Sequence, residues 1–316
     1  MHQDREWLRA SDWIGSRSMD EVTSLFPANV GILGVPCNAS ISPGNCHLAP
    51  NAVREALARF SPFDVRTQTD LTVLNVVDFG DLPLELEWDA YERGRAIFET
   101  VKWALTQTEV LILLGGDNAL TRPAVNALGD SYGGLQNVAL ITLDAHLDMR
   151  TLDTGPINGN PISGLLSDGL MGEQVAQVGI QSFANSVVYW FEARKAGICE
   201  ITAEQVHSRG METCIRSAIN TCLGNRPALY ADFDVDVLDR AFAPACPGAR
   251  PGGITPQMAL TAARMLGTEK RLRVIDFVEV DPTNDVNDIT SLTVASLVLN
   301  FMTGVAQRRS APLDLT

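Results

Sequence analysis

Seven short apolar runs rich in β-branched residues recur along the chain: NVGILGVP (29–36), TVLNVVDFG (72–80), EVLILLGG (109–116), NVALITLD (137–144), VAQVGIQ (175–181), PALYADFDVD (227–236) and RVIDFVEV (273–280). Between them lie segments with helical spacing, among them APNAVREALARF (49–60), AYERGRAIFETVKWALTQ (90–107) and TPQMALTAARMLG (255–267). Continuous apolar strands alternating with amphipathic helices predict an α/β fold with a mainly parallel sheet covered on both faces. With 316 residues, 46% of them hydrophobic and 20% charged, the chain can bury a large core. No composition break, internal repeat or low-complexity stretch marks a linker, so residues 1–316 are expected to form one domain, with 1–28 as an N-terminal extension.

The charge balance narrows the functions open to such a fold. Twenty-four basic residues against 38 acidic ones give a net charge of -14, which repels nucleic acid and anionic membrane surfaces. No run of about 18 uninterrupted apolar residues occurs, so no membrane span is expected. The first residues, MHQDREWLRASDWIGSRS, lack the apolar stretch of a secretory signal, and a cytoplasmic location is expected. Six cysteines without a CxxC pair predict free thiols. GILGVPCNAS, after the first strand, lacks the glycine spacing of a dinucleotide site.

Polar residues concentrate where the strands stop, the place at which open α/β sheets bind ligands. Gly115, Gly116, Asp117 and Asn118 follow one strand; Asp144, His146 and Asp148 end another; Asp234 and Asp236 end a third; Glu279 ends a fourth. Asp117 alone also fits a helix cap. Several aspartates sharing one crevice must protonate or be neutralised by cations. An oxygen-dominated set with one imidazole suits manganese, nickel or iron better than structural zinc.

LLGGDNAL (113–120), LDAHLDMR (143–150), DFDVDVLDRAFAP (232–244) followed by RPGG (250–253), and VEVDP (278–282) resemble, in order, the motifs of the ureohydrolases, the arginase, agmatinase and formimidoylglutamase superfamily. The resemblance runs from GILGVP (31–36) to ITSLTVASLVLNF (289–301) and is nearest in motif to formimidoylglutamase-like or agmatinase-like members. It implies a three-layer α/β/α fold and two divalent metal ions, manganese or nickel. Asp144 and Asp234 would bridge both ions, Asp148 would serve the first, and His146 and Asp236 the second. The remaining ligand of the first ion is a His in the family motif. Asn118 stands there, a neutral and weaker donor, so the first position is expected to bind weakly or stay empty. In GPINGNPISGLL (155–166), Asn158 stands where arginases and agmatinases carry a proton-transferring His, which points away from arginase.

The resemblance further implies hydrolysis of a linear amidine or guanidine C–N bond, with formimidoylglutamate-like or agmatine-like compounds as candidate substrates. Asp148 would carry the proton to the leaving nitrogen, Glu279 would hold the cationic group, and Arg150 would face a substrate carboxylate. Loops 37–48 and 243–253 are expected to form the rim, with Cys37, His47 and Cys246 as candidate lining residues; His2 and His207 are expected on the surface. The alternative is a weakly active or noncatalytic subunit of a heteromeric guanidine or biguanide hydrolase such as metformin hydrolase. A trimer or hexamer, or a hetero-oligomer with a paralogous subunit, follows from the resemblance alone.

Overall fold

The computed structural model describes residues 6–15, 27–41, 44–84 and 88–309. His2 and most of the 1–28 extension lie outside the described residues. Within the extension, Ala10–Ile14 is a short helix whose Ala10 N donates to Phe60 O at 2.8 Å.

The strands are β1 (Ala28–Val35), β2 (Phe63–Asp64), β3 (Thr69–Asp70), β4 (Val76–Asp81), β5 (Thr108–Gly115), β6 (Val138–Leu143), β7 (Val175–Ile180), β8 (Cys199–Thr202), β9 (Ala228–Asp234) and β10 (Leu272–Val278). Eight of them form one sheet in the order β4-β1-β5-β10-β9-β6-β7-β8, every pairing parallel; β2 and β3 make a separate antiparallel pair. Side chains alternate between two apolar clusters. Ile112 and Leu114 enter one while Leu111 and Leu113 enter the other, so helices cover both faces and the architecture is three-layered α/β/α.

This order brings together strands far apart in sequence. β5, β10, β9 and β6 are neighbours, and they are the four strands that end in the polar motifs. The run 72–80 divides on folding: Leu71–Val73 is a 3-10 turn capped by Asp70, which accepts from Thr72 N at 3.0 Å, and only Val76–Asp81 pairs as strand. The edge strand β8 went unpredicted because only Ile201 of its four residues is buried, leaving little apolar signal.

Helix Ile289–Arg309 is long and apolar enough to cross a membrane by length and composition, yet most of it is buried inside the protein. It packs on helix Pro256–Thr268 at a glycine crossing. A Cβ on Gly304 would lie 2.1 Å from Arg264 O, and one on Gly267 would lie 2.2 Å from Phe301 O. Gly304→Ala should therefore force the helices apart and cost about 1–3 kcal/mol, read as a lower urea midpoint at unchanged slope.

Candidate active site

Each strand tip is held by backbone-directed bonds. Beyond β6, Asp144 N donates to Val178 O (3.1 Å) and Ala145 N to Asp236 Oδ1 (2.9 Å). Asn185 braces the same turn, accepting from Leu147 N (2.8 Å) and donating to Ala145 O (3.1 Å). Beyond β9, a 3-10 turn lets Asp234 Oδ1 accept from Asp236 N (2.8 Å). Gly116 and Gly248 permit close approaches: an added Cβ would sit 1.9 Å from Cys37 O in the first and 2.3 Å from Asp236 Oδ2 in the second. Asp148 (φ 52°) and Glu279 (φ 68°) occupy the left-handed region that non-glycine residues seldom adopt. Such strain persists only where the surroundings impose it.

The sequence-predicted residues come together. His146 Nδ1 lies 2.7 Å from Asp236 Oδ2 and 3.6 Å from Asp144 Oδ1, a grouping able to hold a cation. Asn118 joins the other side of the cluster: its backbone N donates to Glu279 Oε1 (2.9 Å) and its Nδ2 to Asp148 Oδ2 (2.8 Å). Asn158 Nδ2 donates to the same Glu279 oxygen at 3.0 Å. A cavity of about 380 Å³ opens over Asp148, Asp234, Asp236 and Glu279, with Arg150 and Asn158 also on its wall. Asn118 and Asp144 are buried beneath.

Burial dominates the electrostatics. Desolvation, then Asp236, raises Asp144 to about 7. Desolvation, then Asp117, raises Glu279 to about 8. Asp148 is pushed well up by burial and Asp144, Asp234 by burial and Asp236. Desolvation works against a charged His146, but Asp236 and Asp144 outweigh it and pull its pKa to about 11. Arg250 Nη1, 2.6 Å from His146 Nε2, argues otherwise. A guanidinium only donates, so it would meet an imidazolium donor to donor; the short contact fits a neutral ring with its proton on Nδ1, facing Asp236.

The donor set fits divalent metal. Four buried aspartates share one imidazole, and cations would offset the desolvation and mutual repulsion that raise Asp144, Asp148 and Asp234. Asn118 fits as well. Thr121 Oγ1 lies 2.6 Å from Asn118 Oδ1 and 2.9 Å from Asp276 Oδ2, but one hydroxyl proton cannot serve both. Turning the amide over resolves the conflict: Nδ2 donates to Thr121, Thr121 donates to Asp276, and Oδ1 faces Asp148 as a neutral oxygen donor. Asp276 is fixed in turn by Tyr230 OH (2.6 Å) and Phe233 N (3.0 Å).

Sequence reasoning gave no individual role to Thr121, Asp276, Asn185, Gly248 or Arg250. Asp276 left a signal as an acid in the middle of the apolar run RVIDFVEV, and Gly248 and Arg250 fell in the loop 243–253 expected at the rim, Arg250 within RPGG. Three expectations about lining residues need correction. Cys37 borders a different cavity of about 610 Å³ beside helix Ala90–Gln107, and Cys246 is wholly buried. His47 is likewise absent from the wall of the carboxylate cavity. Small apolar thiols pack under the loop, leaving the surface to polar neighbours. His207 is exposed as expected, its Nε2 3.0 Å from Gly253 O, and Asp117 does cap a 3-10 turn through Ala119 N.

Comparison with known proteins places this fold and site in a family. The model of the arginase family matches residues 28–304. The formimidoylglutamase of Halalkalibacterium halodurans is 36% identical over 279 residues, 87% of this chain and 86% of that one. The crystal structure of formimidoylglutamase from Bacillus subtilis superposes with a TM-score of 0.88 at 28% identity, covering 98% of this chain and 95% of that one. A Trypanosoma cruzi formiminoglutamase structure with Mn2+ shares the fold, with a TM-score of 0.85 at 20% identity over 96% and 99% of the chains. The chain belongs to the arginase family of hydrolases.

Two predictions follow from the cluster. Asp144 and Glu279 hold protons in the metal-free fold at a pH where the unfolded carboxyls are ionised. Without cations they therefore stabilise the fold only at low pH, and that contribution is lost as pH rises from about 4 through 7 to 8. An ion held by Asp144 must displace its proton, so Mn2+ affinity should rise with pH up to about 7, by about tenfold per pH unit for each proton displaced. Calorimetric titration in buffers of different ionisation enthalpy measures both quantities; pH-independent affinity would refute the assignment. Thr121→Val should weaken one of two metal-binding steps by about 10–100-fold and spare the other, as read by elemental analysis across a metal titration.

Proposed function

We propose that this chain is a manganese-dependent amidine hydrolase whose substrate is formimidoylglutamate or a close analogue. The observation that carries the reading is the convergence of Asp148, Glu279 and Arg150 on one cavity, a head-and-tail arrangement for a substrate with a cationic amidine at one end and a carboxylate at the other. The formimidoylglutamase relative supports the same substrate class.

Asn118 and Asp148 would hold the first ion, His146 and Asp236 the second, and Asp144 and Asp234 both. Bound there, the ions supply the acidity that makes water a nucleophile near neutral pH. Glu279 accepts from the amidinium N–H groups and orients its planar carbon. Asn158 and the Asn118 backbone both donate to Oε1 of Glu279, which fixes the carboxylate and leaves Oε2 for the substrate. Asp148 takes the proton released on attack and delivers it to the departing nitrogen. Its left-handed backbone holds the carboxylate at the cavity floor. Arg150, exposed on the wall, binds the tail carboxylate.

Substrate turnover tests this directly. Protein loaded with manganese should release ammonia or formamide from formimidoylglutamate faster than urea from agmatine or arginine. Asp148→Asn should lower kcat by about 10²–10⁴-fold with the fold intact by circular dichroism. If protein carrying two ions per chain hydrolyses none of the three, the reading fails. A second reading, a subunit active only beside a paralogous partner, rests on Asn118 in place of His; fewer than two ions per chain in protein produced alone would favour it.

A further inference from the structure

We propose that Arg250 is a second carboxylate receptor of this cavity, so that the substrate tail is read at two anionic groups. The inference deepens the proposed hydrolysis and rests on it for the identity of the substrate, but not for the existence of the anion subsite.

Two guanidinium groups border the carboxylate cavity, Arg150 from the loop after Asp148 and Arg250 from the loop 243–253. Neither forms an ion pair among the described residues. Five arginines elsewhere are ion-paired, Arg54 with Asp78 and Asp81, Arg122 with Asp168, Arg226 with Glu173, Arg271 with Glu269 and Arg309 with Glu109; what distinguishes Arg150 and Arg250 among the unpaired ones is that both border this cavity. In a chain of net charge -14, two uncommitted arginines on one cavity wall are a local reversal of sign. Asp148, Asp234, Asp236 and Glu279 line the same cavity, so groups of both signs border it. A purely cationic guanidine satisfies only the carboxylates; a cationic head with an anionic tail satisfies both.

The bonds of Arg250 show why it is available. Its Nη1 donates to Gly248 O at 2.8 Å and meets His146 Nε2 at 2.6 Å. Nε2 accepts only while the ring proton sits on Nδ1, the nitrogen facing Asp236 at 2.7 Å. Both contacts are made by Nη1, so the Nε and Nη2 donors of Arg250 have no hydrogen-bond partner among the described residues. Arg250 therefore has donors to spare beside the cavity. A carboxylate accepts two parallel N–H bonds from such a fork, a match that an uncharged or cationic tail lacks.

The test uses the full chain loaded with manganese and L-glutamate as probe, the dicarboxylate left when formimidoylglutamate is hydrolysed with release of formamide. Calorimetry should find glutamate bound about tenfold or more tighter than glutamine, in which one carboxylate is an amide. Arg250→Ala and Arg250→Gln should each weaken glutamate binding by about tenfold or more and abolish that preference, with Arg250→Lys recovering part of both. The ratio of kcat/KM for formimidoylglutamate to that for a neutral-tailed N-alkylformamidine should fall in the same variants. Arg216→Ala, outside the cavity wall, serves as control for generic charge effects. Unchanged glutamate affinity and preference in Arg250→Ala would overturn the proposal even if formimidoylglutamate is hydrolysed. Glutamate binding that depends on Arg250 in a protein that hydrolyses no amidine would instead leave the subsite standing and remove the proposed reaction.

Discussion

Desolvated carboxylates crowded at the tips of four adjacent parallel strands are the constraint on which this structure turns. Asp144, Asp148, Asp234, Asp236 and Glu279 are all buried, and each except Asp236 is driven above its ordinary pKa. Asp236 escapes because His146 lies against it. Left without cations, such a cluster opposes folding as the pH rises, so its persistence in one crevice has to be explained by what binds there. The sheet order supplies the means. Strands β5 and β6, joined in sequence through a single α-helix, are held apart by β10 and β9; the tips of β6, β9 and β10 line one cavity, and Asn118 beyond β5 is bonded to Glu279 and Asp148 beneath it.

A polar chain beneath the cluster fixes Asn118 in place. Tyr230 and Phe233 N hold Asp276, Asp276 engages Thr121, and Thr121 engages Asn118. All four side chains are fully buried, so each donor and acceptor must be matched or incur a desolvation cost. An amide has both a donor and an acceptor end, and this chain decides which end faces Asp148. Asn118 is thereby supported from below by β9 and β10.

Much of this was legible in the sequence because it depends on short-range pattern. Apolar runs placed most strands to within two residues, and the alternation Asp144, His146, Asp148 at the end of one run announced a site. The parts that stayed hidden depend on long-range geometry. β8 is a short edge strand with little to bury. Gly248 looks like any loop glycine until its closeness to Asp236 is known. Arg250 sits in a Pro- and Gly-rich loop over a hundred residues from His146, and only the fold makes them neighbours. Cys37, His47 and Cys246 failed as lining residues for the converse reason, since loop membership says nothing about which side of the loop is buried.

The groups of both signs that border the cavity also constrain how a substrate can lie in it. A reversed substrate would set its amidinium against Arg150 and Arg250 and its carboxylate against Glu279 and the aspartates. Both reversed contacts are repulsive, so for the proposed substrate polarity would favour one orientation. Diamines and guanidines with a cationic or neutral tail gain no such discrimination. On the proposed reading, specificity would reside in the contrast between these carboxylates and the two guanidinium groups, and a change at either should alter orientation as well as affinity.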